Sequence, residues 1–229
     1  LSAARRRLTS AFPTVELHLQ ASNFLEYILK NIEKNNTLSL FGNAAMPHYD
    51  LIIANPPYVR TQIIGARRAR DLAEAFGLRG RVDLYYAFLI GIAQVLQPKG
   101  IAGIIVSNRF MTTKGGACIR EALRTRLRLR HIWDLGDTKL FSAAVLPSVI
   151  IAQGRNGHAP SKASFTSIYE TDLEANTTVS DPIEALGSSG IVAVADGRRF
   201  IVQHGSLDAN GSVDAVWRIA TADTANWLS

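Results

Sequence analysis

Short apolar runs alternate with longer stretches of helical periodicity over the first 155 residues. Five runs have strand length and composition, at Val15–Gln20, Tyr49–Ala54, Ile101–Ser107, Leu129–Leu135 and Pro147–Gln153. Helical patterns lie between them, at Asn23–Lys34, Gly65–Leu78, Asp83–Leu96 and Gly116–Leu127. Three of the strands are rich in Ile and Val with little alternation, which is typical of strands buried on both faces. The pattern therefore predicts an α/β fold around an open, mainly parallel sheet.

The last two predicted strands follow each other without a helix, so we expect an antiparallel hairpin at one edge of the sheet. After Gln153 the sequence becomes turn-rich and then continues in short strand-like pieces such as Ser164–Tyr169. This change places a domain boundary near residue 155. The predicted domains are 1–155 and 156–229.

The start of the chain lacks one expected feature. A complete nucleotide-binding sheet begins with a strand that leads into a Gly-rich turn, and no G-x-G-x-x-G precedes Val15. Instead, Ala3–Ala11 resembles the end of a helix. We expect the chain to be an internal piece of a longer protein that lacks the first strands of its sheet.

The composition, with 47% hydrophobic and 19% charged residues, is that of a soluble globular protein. No apolar run has the length of a membrane span, and the single Cys118 excludes an internal disulfide, so a cytoplasmic protein is expected. The five histidines have no metal-ligand spacing, which predicts no metal site. Residues 1–155 hold 21 basic and 10 acidic side chains, whereas 156–229 hold 4 and 9, so a polyanion would meet the first part.

The most informative stretch is Asn55-Pro56-Pro57-Tyr58, directly after the apolar run Tyr49–Ala54. The prolines fix φ and remove two N–H donors, which leaves a stiff loop of acceptors. The Asn55 side-chain oxygen and the Pro56 carbonyl oxygen can hold the two hydrogens of one amino group. Such contacts localise the nitrogen lone pair and stabilise the charge that develops when a methyl group arrives. The loop therefore predicts amine methylation, although a rigid surface turn is the alternative.

With these residues the sequence resembles the DNA methyltransferases that modify adenine at N6, in the branch related to type II and type IIG restriction-modification enzymes. The resemblance covers about residues 15–153 and implies a partial Rossmann-like sheet that binds S-adenosylmethionine. Five segments match in order, namely Ala21–Leu25, Tyr49–Tyr58, Arg81–Phe88, Leu96–Ser107 and Leu135–Phe141.

The resemblance implies a role for each matched residue. Asn55 and Pro56 would hold the target amino group, and Tyr58 would stack on the extruded base; Pro57 belongs to the same catalytic loop, which it stiffens as a proline. Phe141 would contact the same base from another side. Asn23 and Phe24 would border the adenine of S-adenosylmethionine; Asn23 replaces the usual aspartate and is equally well explained as a helix N-cap.

Arginines form two groups. The first lies after the Asn-Pro-Pro-Tyr loop, where it can reach phosphates of double-stranded DNA beside the extruded nucleotide, and comprises Arg60, Arg67, Arg68, Arg70, Arg79 and Arg81. The second is expected to form a solvated or edge-protecting face and comprises Arg120, Arg124, Arg126, Arg128 and Arg130.

Three functions remain open from the sequence. The first is an adenine-specific DNA methyltransferase of a restriction-modification or phage-defence system, with separate or fused domains for restriction and specificity. The second keeps the same loop chemistry but methylates glutamine in proteins or guanine in ribosomal RNA. The third is a catalytically inactive DNA-binding fragment. The predicted start of a target-recognition region at 156–229 belongs to the first.

Overall fold

The structure is a computed structural model that describes residues 1–38, 48–59, 65–78, 83–140, 145–155, 162–208 and 216–220, with backbone alone for 32–38. The chain divides into two compact units, Leu1–Met46 and Pro47–Ser229. Each unit is described by itself below.

The first unit contains two helices, α1 (Ser2–Ala11) and α2 (Phe24–Leu38). The predicted helices there are confirmed, but the predicted strand Val15–Gln20 is wrong, because residues 16–23 have no regular secondary structure. The alternation of apolar and polar side chains along Val15–Gln20 is typical of a strand. However, the described part of this unit contains no other strand with which it could form a ladder, and an unpaired strand has no backbone partners.

The second unit holds the remaining elements. Its helices are α3 (Ala66–Phe76), α4 (Tyr85–Val95), α5 (Arg109–Thr112), α6 (Ala117–Arg126) and α7 (Pro182–Ala185). Its strands are β1 (Tyr49–Ala54), β2 (Leu96–Ser107), β3 (Leu127–Asp134), β4 (Pro147–Gly154), β5 (Ser164–Glu170), β6 (Thr177–Val179), β7 (Gly190–Val194), β8 (Arg199–Asp208) and β9 (Arg218–Ala220). The four predicted helices and the strands after Val15–Gln20 are thus present, with bounds shifted by a few residues.

The strands form one sheet in the order β1-β2-β4-β3-β5-β8-β7-β6, with β9 beside β8. The α/β prediction is confirmed, and so is the antiparallel pairing of β3 with β4. Two details are wrong. The hairpin is not at an edge, because β3 also pairs with β5. The sheet is mixed rather than mainly parallel, because only β1/β2, β3/β5 and β6/β7 are parallel among the described pairs.

The sheet continues past residue 155. Strand β5 lies parallel to β3, and Phe165 pairs with Ile132 across this junction. Backbone hydrogen bonds therefore join the segments before and after the predicted boundary. That residues 156–229 begin a target-recognition region remains a prediction.

The strand directions define the edge on which functional residues collect. Strand β1 is parallel to β2, β3 is antiparallel to β4 and so parallel to β2, and β5 is parallel to β3. The carboxyl ends of β1, β2, β3 and β5 consequently meet along one edge, which we call the carboxyl edge. In α/β sheets ligands bind beyond such an edge.

Strand β1 is much more exposed than its apolar sequence predicts. Leu51 is 62% and Ile53 82% exposed. Among the described strands β1 pairs only with β2, so it is the end strand of the sheet. The expectation that this strand is buried on both faces is therefore wrong for the described residues.

Candidate active site

The Asn-Pro-Pro-Tyr loop, residues Asn55–Tyr58, leaves the carboxyl edge at the end of β1. Asn55 and Pro57 are exposed, Pro56 is buried, and Tyr58 is half-buried. The Tyr58 hydroxyl donates a hydrogen bond to Asn55 Oδ1 at 2.9 Å. Because a hydroxyl can donate to the oxygen of the carboxamide, this bond fixes the orientation of the Asn55 amide and identifies its acceptor atom.

This geometry leaves acceptor capacity in the loop. The Asn55 oxygen has two lone pairs, of which Tyr58 uses one. No backbone N–H of the described residues donates to the carbonyl of Pro56. Two adjacent carbonyl groups can therefore accept hydrogen bonds from one ligand amino group.

Two tyrosine rings, Tyr85 and Tyr86, pack in sequence behind the ring of Tyr58. The Tyr58 ring lies edge-on to Tyr85 with centroids 6.3 Å apart, and Tyr85 lies edge-on to Tyr86 at 4.7 Å. The Tyr85 hydroxyl donates to the carbonyl of Ser107 at the end of β2, at 3.4 Å. Burial raises the pKa of Tyr58 and of Tyr85, so both hydroxyls remain protonated donors at neutral pH.

The end of the loop is tied to α4. The Leu84 N–H donates to the carbonyl of Val59 at 2.7 Å, just before α4 begins at Tyr85. Helix α4 is buried over almost its whole length, including Leu89 and Ile92. A rigid core helix therefore positions the ring on which Tyr58 rests.

A second polar group lies on the carboxyl edge, and sequence reasoning missed it. Asn108 follows β2, Asp134 ends β3, and Tyr169 lies near the end of β5; together they form what we call the edge cluster. The Tyr169 hydroxyl donates to Asp134 Oδ2 at 2.6 Å, while Asn108 Nδ2 donates to Asp134 Oδ1 at 2.9 Å and to the Tyr169 oxygen at 3.2 Å. Burial, followed by the hydrogen bond to Asp134, raises the pKa of Tyr169.

One signal for the edge cluster was present in the sequence. Asn108 and Asp134 are polar residues at the carboxyl ends of two predicted strands, which is where α/β proteins place functional side chains. Tyr169 had no such signal, because its position depends on the pairing of β3 with β5.

Several predicted site residues lie outside the described residues, namely Arg60, Arg79, Arg81 and Phe141. Arg67, Arg68 and Arg70 are exposed on α3. At about 100° per residue, Arg67 and Arg70 point away from the buried Leu72 and Phe76. Acidic residues follow each of them by one turn, so the net charge of α3 is only +1 from three arginines and two acids.

The second arginine group is not a uniform solvated face. Arg126, Arg128 and Arg130 are exposed, but Arg120 is only 1% exposed. Its guanidinium donates to the carbonyls of Phe110 and Thr113 at 2.6 and 2.9 Å. The expectation is wrong for Arg120, because carbonyl oxygens of the preceding turn replace the water that a charged group needs. The alternative expectation, that these arginines protect an edge strand of the sheet, is also wrong, because β3 lies between β4 and β5.

The predicted cofactor residues lie in the first unit. Asn23 Oδ1 accepts the N–H groups of Leu25 and Glu26 at 3.0 and 3.4 Å, so this side chain caps α2. Its exposed amide nitrogen is a donor, which suits a ring nitrogen of a purine. Phe24 is half-buried. These side chains are compatible with a purine, and their role as cofactor ligands remains a prediction.

Among the described helices, none combines the length and the apolar character needed to cross a lipid bilayer.

The chain is similar to type II methyltransferases of known sequence. The type II methyltransferase M.BanIII of Aneurinibacillus aneurinilyticus is 39% identical over 92% of this chain and 37% of its own length. M.XhoI of Xanthomonas vasicola, another type II methyltransferase, is 35% identical over 56% of this chain and 24% of its own length. A solved chain of a type I restriction-modification system aligns with 68% of this chain and 28% of its own length, at 18% identity and a TM-score of 0.49.

The family match covers the segment that carries the candidate site. Residues 6–141 match the model of the Eco57I restriction-modification methylase family. This range includes β1, the loop Asn55–Tyr58 and the carboxyl ends of β2 and β3. The chain belongs to the Eco57I restriction-modification methylase family.

Proposed function

We propose that this chain carries the methyl-transfer site of an adenine-specific DNA methyltransferase, which moves a methyl group from S-adenosylmethionine to adenine N6 in double-stranded DNA. One observation carries the proposal. The side-chain oxygen of the exposed Asn55 is held at the carboxyl edge by the Tyr58 hydroxyl, in the same loop as the Pro56 carbonyl and the Tyr58 ring. The similarity to type II methyltransferases supports it.

The loop residues act by accepting hydrogen bonds. The exocyclic nitrogen of adenine is a poor nucleophile because its lone pair is delocalised into the ring. Asn55 Oδ1 and the Pro56 carbonyl hold its two hydrogens, favour a tetrahedral nitrogen and stabilise the positive charge as the new bond forms. The surplus proton leaves after transfer, so no strong base is required before attack.

Tyr58 supplies the platform for the base. An adenine must leave the duplex to reach a loop at a sheet edge, and the unstacking costs a few kcal/mol. Stacking of the base on an aromatic ring recovers about 1–3 kcal/mol. The contact with the buried Tyr85 fixes the Tyr58 ring in advance, so little conformational entropy is lost when the base arrives.

S-adenosylmethionine supplies the electrophilic methyl group when it is bound. Phe24 would contact its adenine with its ring, and the Asn23 amide nitrogen would donate to a ring nitrogen, since Asn23 Oδ1 already caps α2. These two residues orient the cofactor and take no part in proton movement.

Exposed arginines near the Asn55–Tyr58 loop in the sequence support the proposal that the partner is DNA. Arg67 and Arg70 project from the outward face of α3, and Arg60 belongs to the same sequence cluster. Such guanidinium groups neutralise phosphates, which predicts strongly salt-dependent binding. As relatives are type II methyltransferases, we also propose restriction and specificity functions on separate or fused domains.

The test is to identify the methyl acceptor. The complete protein that contains this chain is incubated with tritium-labelled S-adenosylmethionine and with duplex DNA, ribosomal RNA or release-factor protein. The label should enter duplex DNA and elute as N6-methyladenine after hydrolysis. Label in RNA or protein, or in another base of DNA, would refute the proposal in favour of the related amino-group methyltransferases.

A further inference from the structure

The loop that leaves β3, residues Leu135–Leu140, is held in place by strands that follow it in the sequence; we call it the β3 loop. Its first contact is with β5. Asp137 Oδ1 accepts the N–H of Glu170 at 2.7 Å. Gly136 has φ +46°, and a Cβ atom there would lie 2.3 Å from the carbonyl oxygen of Ile168. The β3 loop therefore lies directly against the backbone of β5.

Arg198, in the turn between β7 and β8, makes the second contact. Its Nη1 donates to the carbonyl of Thr138 at 2.7 Å. Asp196 holds the same guanidinium through Nε at 2.9 Å and Nη2 at 2.7 Å, and the group lies 5.2 Å from the centre of the Phe200 ring. A guanidinium fixed by a carboxylate and an aromatic face is a rigid donor to the loop.

Leu140, the last residue of the β3 loop, makes an apolar contact. It is partly buried against a hydrophobic cluster built mainly from the C-terminal strands, which includes Ile168, Val192 and Phe200. The residue that follows is Phe141, which the resemblance implies at the target base. The contacts of Leu140 hold the described end of the β3 loop against the C-terminal strands.

The edge cluster fixes the beginning of the loop. Asp134 precedes the loop and joins Tyr169 of β5 to Asn108 after β2. The C-terminal segment also reaches α5, which follows Asn108. There the N–H of Trp217 donates to the carbonyl of Met111 at 2.8 Å, and the Trp217 ring lies edge-on to Phe110 at 5.7 Å.

The charge of the C-terminal segment agrees with this placement. Residues 156–229 hold 4 basic and 9 acidic side chains, which disfavours extensive contact with phosphates. Their strands instead contact the protein loops of the carboxyl edge.

We propose that the strands after residue 155 are a positioning element for methyl transfer, and that Tyr169 and Arg198 are positioning residues that hold the β3 loop ready for the target base. This inference rests on the proposed function. A loop that is already ordered loses no further conformational entropy when the extruded base enters the site, after the duplex has bound. Releasing it should slow capture of the base without weakening phosphate contacts.

The test compares two hydroxyl deletions on the same strand of the complete protein. Tyr169→Phe removes the hydrogen bond to Asp134. Thr166→Val is the matched control, since Thr166 is also on β5, is 1% exposed and bonds His131 and His204 away from the β3 loop. The measurements are the single-turnover rate, the Kd for DNA, and the fluorescence of 2-aminopurine at the target position.

Tyr169→Phe should lower the single-turnover rate roughly tenfold and weaken the fluorescence signal of base extrusion, with the Kd for DNA unchanged. Thr166→Val should leave the rate and the fluorescence close to wild type, even where it lowers the melting temperature. Arg198→Ala should change the rate in the same direction as Tyr169→Phe, through a different bond. Equal rates for Tyr169→Phe and Thr166→Val would overturn the proposal.

A second measurement separates this proposal from the proposed function. Amide hydrogen exchange over the β3 loop should accelerate in Tyr169→Phe and in Arg198→Ala but not in Thr166→Val. It requires no substrate. Unchanged exchange in both loop variants would overturn the positioning role even if DNA methylation is demonstrated. If the acceptor proves not to be DNA, faster exchange would still show that Tyr169 and Arg198 order the loop, and only its role toward a base would fail with the proposed function.

Discussion

Two loops leave the carboxyl edge of the same sheet and are held in opposite ways. The Asn55–Tyr58 loop follows an end strand with exposed side chains, and its stiffness comes from its own prolines and from a bond between its first and last residues. The β3 loop follows an interior strand and takes its order from β5, Arg198 and an apolar cluster.

The two loops therefore have different roles: the Asn55–Tyr58 loop supplies the acceptor atoms for methyl transfer, and the β3 loop is positioned beside the base. The acceptor oxygens need only a short rigid segment, so four consecutive residues can provide them. Placement of a loop beside a base needs support over a longer distance, which the C-terminal strands supply. Mutations in the first loop should therefore remove turnover, whereas mutations around the second should affect stability and turnover together.

The largest expected effect is at the first loop. Asn55→Ala in the complete protein should lower the single-turnover rate about a thousandfold, because the lost contact strengthens only as charge develops on the adenine nitrogen. DNA affinity, measured by fluorescence anisotropy, should stay near wild type. Gln153→Ala removes an amide at the opposite end of the sheet and should leave both values unchanged. Equal losses of rate and affinity in Asn55→Ala would show that Asn55 only binds DNA.

A smaller effect is expected at the glycine of the β3 loop. Gly136 and Gly77 both have positive φ, but of the two only Gly136 has backbone, the Ile168 carbonyl, where a Cβ atom would lie. Gly77→Ala should cost about 1 kcal/mol of unfolding free energy from backbone strain in the left-handed region. Gly136→Ala adds the displacement of the loop and should cost about 2–3 kcal/mol in all. Urea denaturation of residues 1–229 measures both, and equal costs would mean that the β3 loop is not packed against β5.

The Asn55–Tyr58 loop could be predicted because the residues that define it are consecutive in the sequence. A six-residue apolar run ending in Asn-Pro-Pro-Tyr predicts a strand, a stiff turn and acceptor atoms without reference to the rest of the chain. The helices that surround it were predicted for the same reason. Exposure of Leu51 and Ile53 was not predicted, because burial depends on which elements cover a strand.

The resemblance identified the β3 loop, but the contacts that hold it could not be predicted, because they join residues far apart in the sequence. Asn108 and Asp134 are 26 residues apart, and Asn108 and Tyr169 are 61 apart. The hairpin β3–β4 was visible in the sequence, but its interior position required β5. Arg120 was assigned to a surface by its charge, whereas its local turn supplies the carbonyl groups that allow burial.

A still smaller effect concerns pH in the β3–β5–β8 region. His131 Nε2 is 3.0 Å from Thr166 Oγ1, which is 3.1 Å from His204 Nδ1, and burial followed by the charge of His204 lowers the pKa of His131. The unfolded chain therefore binds this proton at a higher pH than the folded protein does. Stability should fall as the pH drops below about 6.5, by less than about 1 kcal/mol because the ring is partly solvated.

Urea denaturation at pH 5.5 and 7.5 measures this dependence. His131→Gln removes the titrating group and should reduce the difference in unfolding free energy between the two pH values. If the variant keeps the full difference, another group is responsible for it.

The smallest expected effect is on the exposed end strand. Ile53→Thr should change the unfolding free energy of residues 1–229 by less than about 0.5 kcal/mol, because the side chain is 82% exposed and threonine keeps β-branching. Ile150→Thr on the interior strand β4 is the matched control, and it should cost about 2–4 kcal/mol because Ile150 is fully buried. Similar costs for the two substitutions in urea denaturation would show that both strands are equally covered.

The most direct test of the account is a structure of the complete protein with a duplex that contains its target adenine and with a non-reactive analogue of S-adenosylmethionine. The exocyclic nitrogen of the extruded adenine should lie about 2.7–3.2 Å from both Asn55 Oδ1 and the Pro56 carbonyl oxygen, with the Tyr58 ring against the base. An amino group bonded to other atoms, or an Asn55 side chain turned into the protein, would contradict the account.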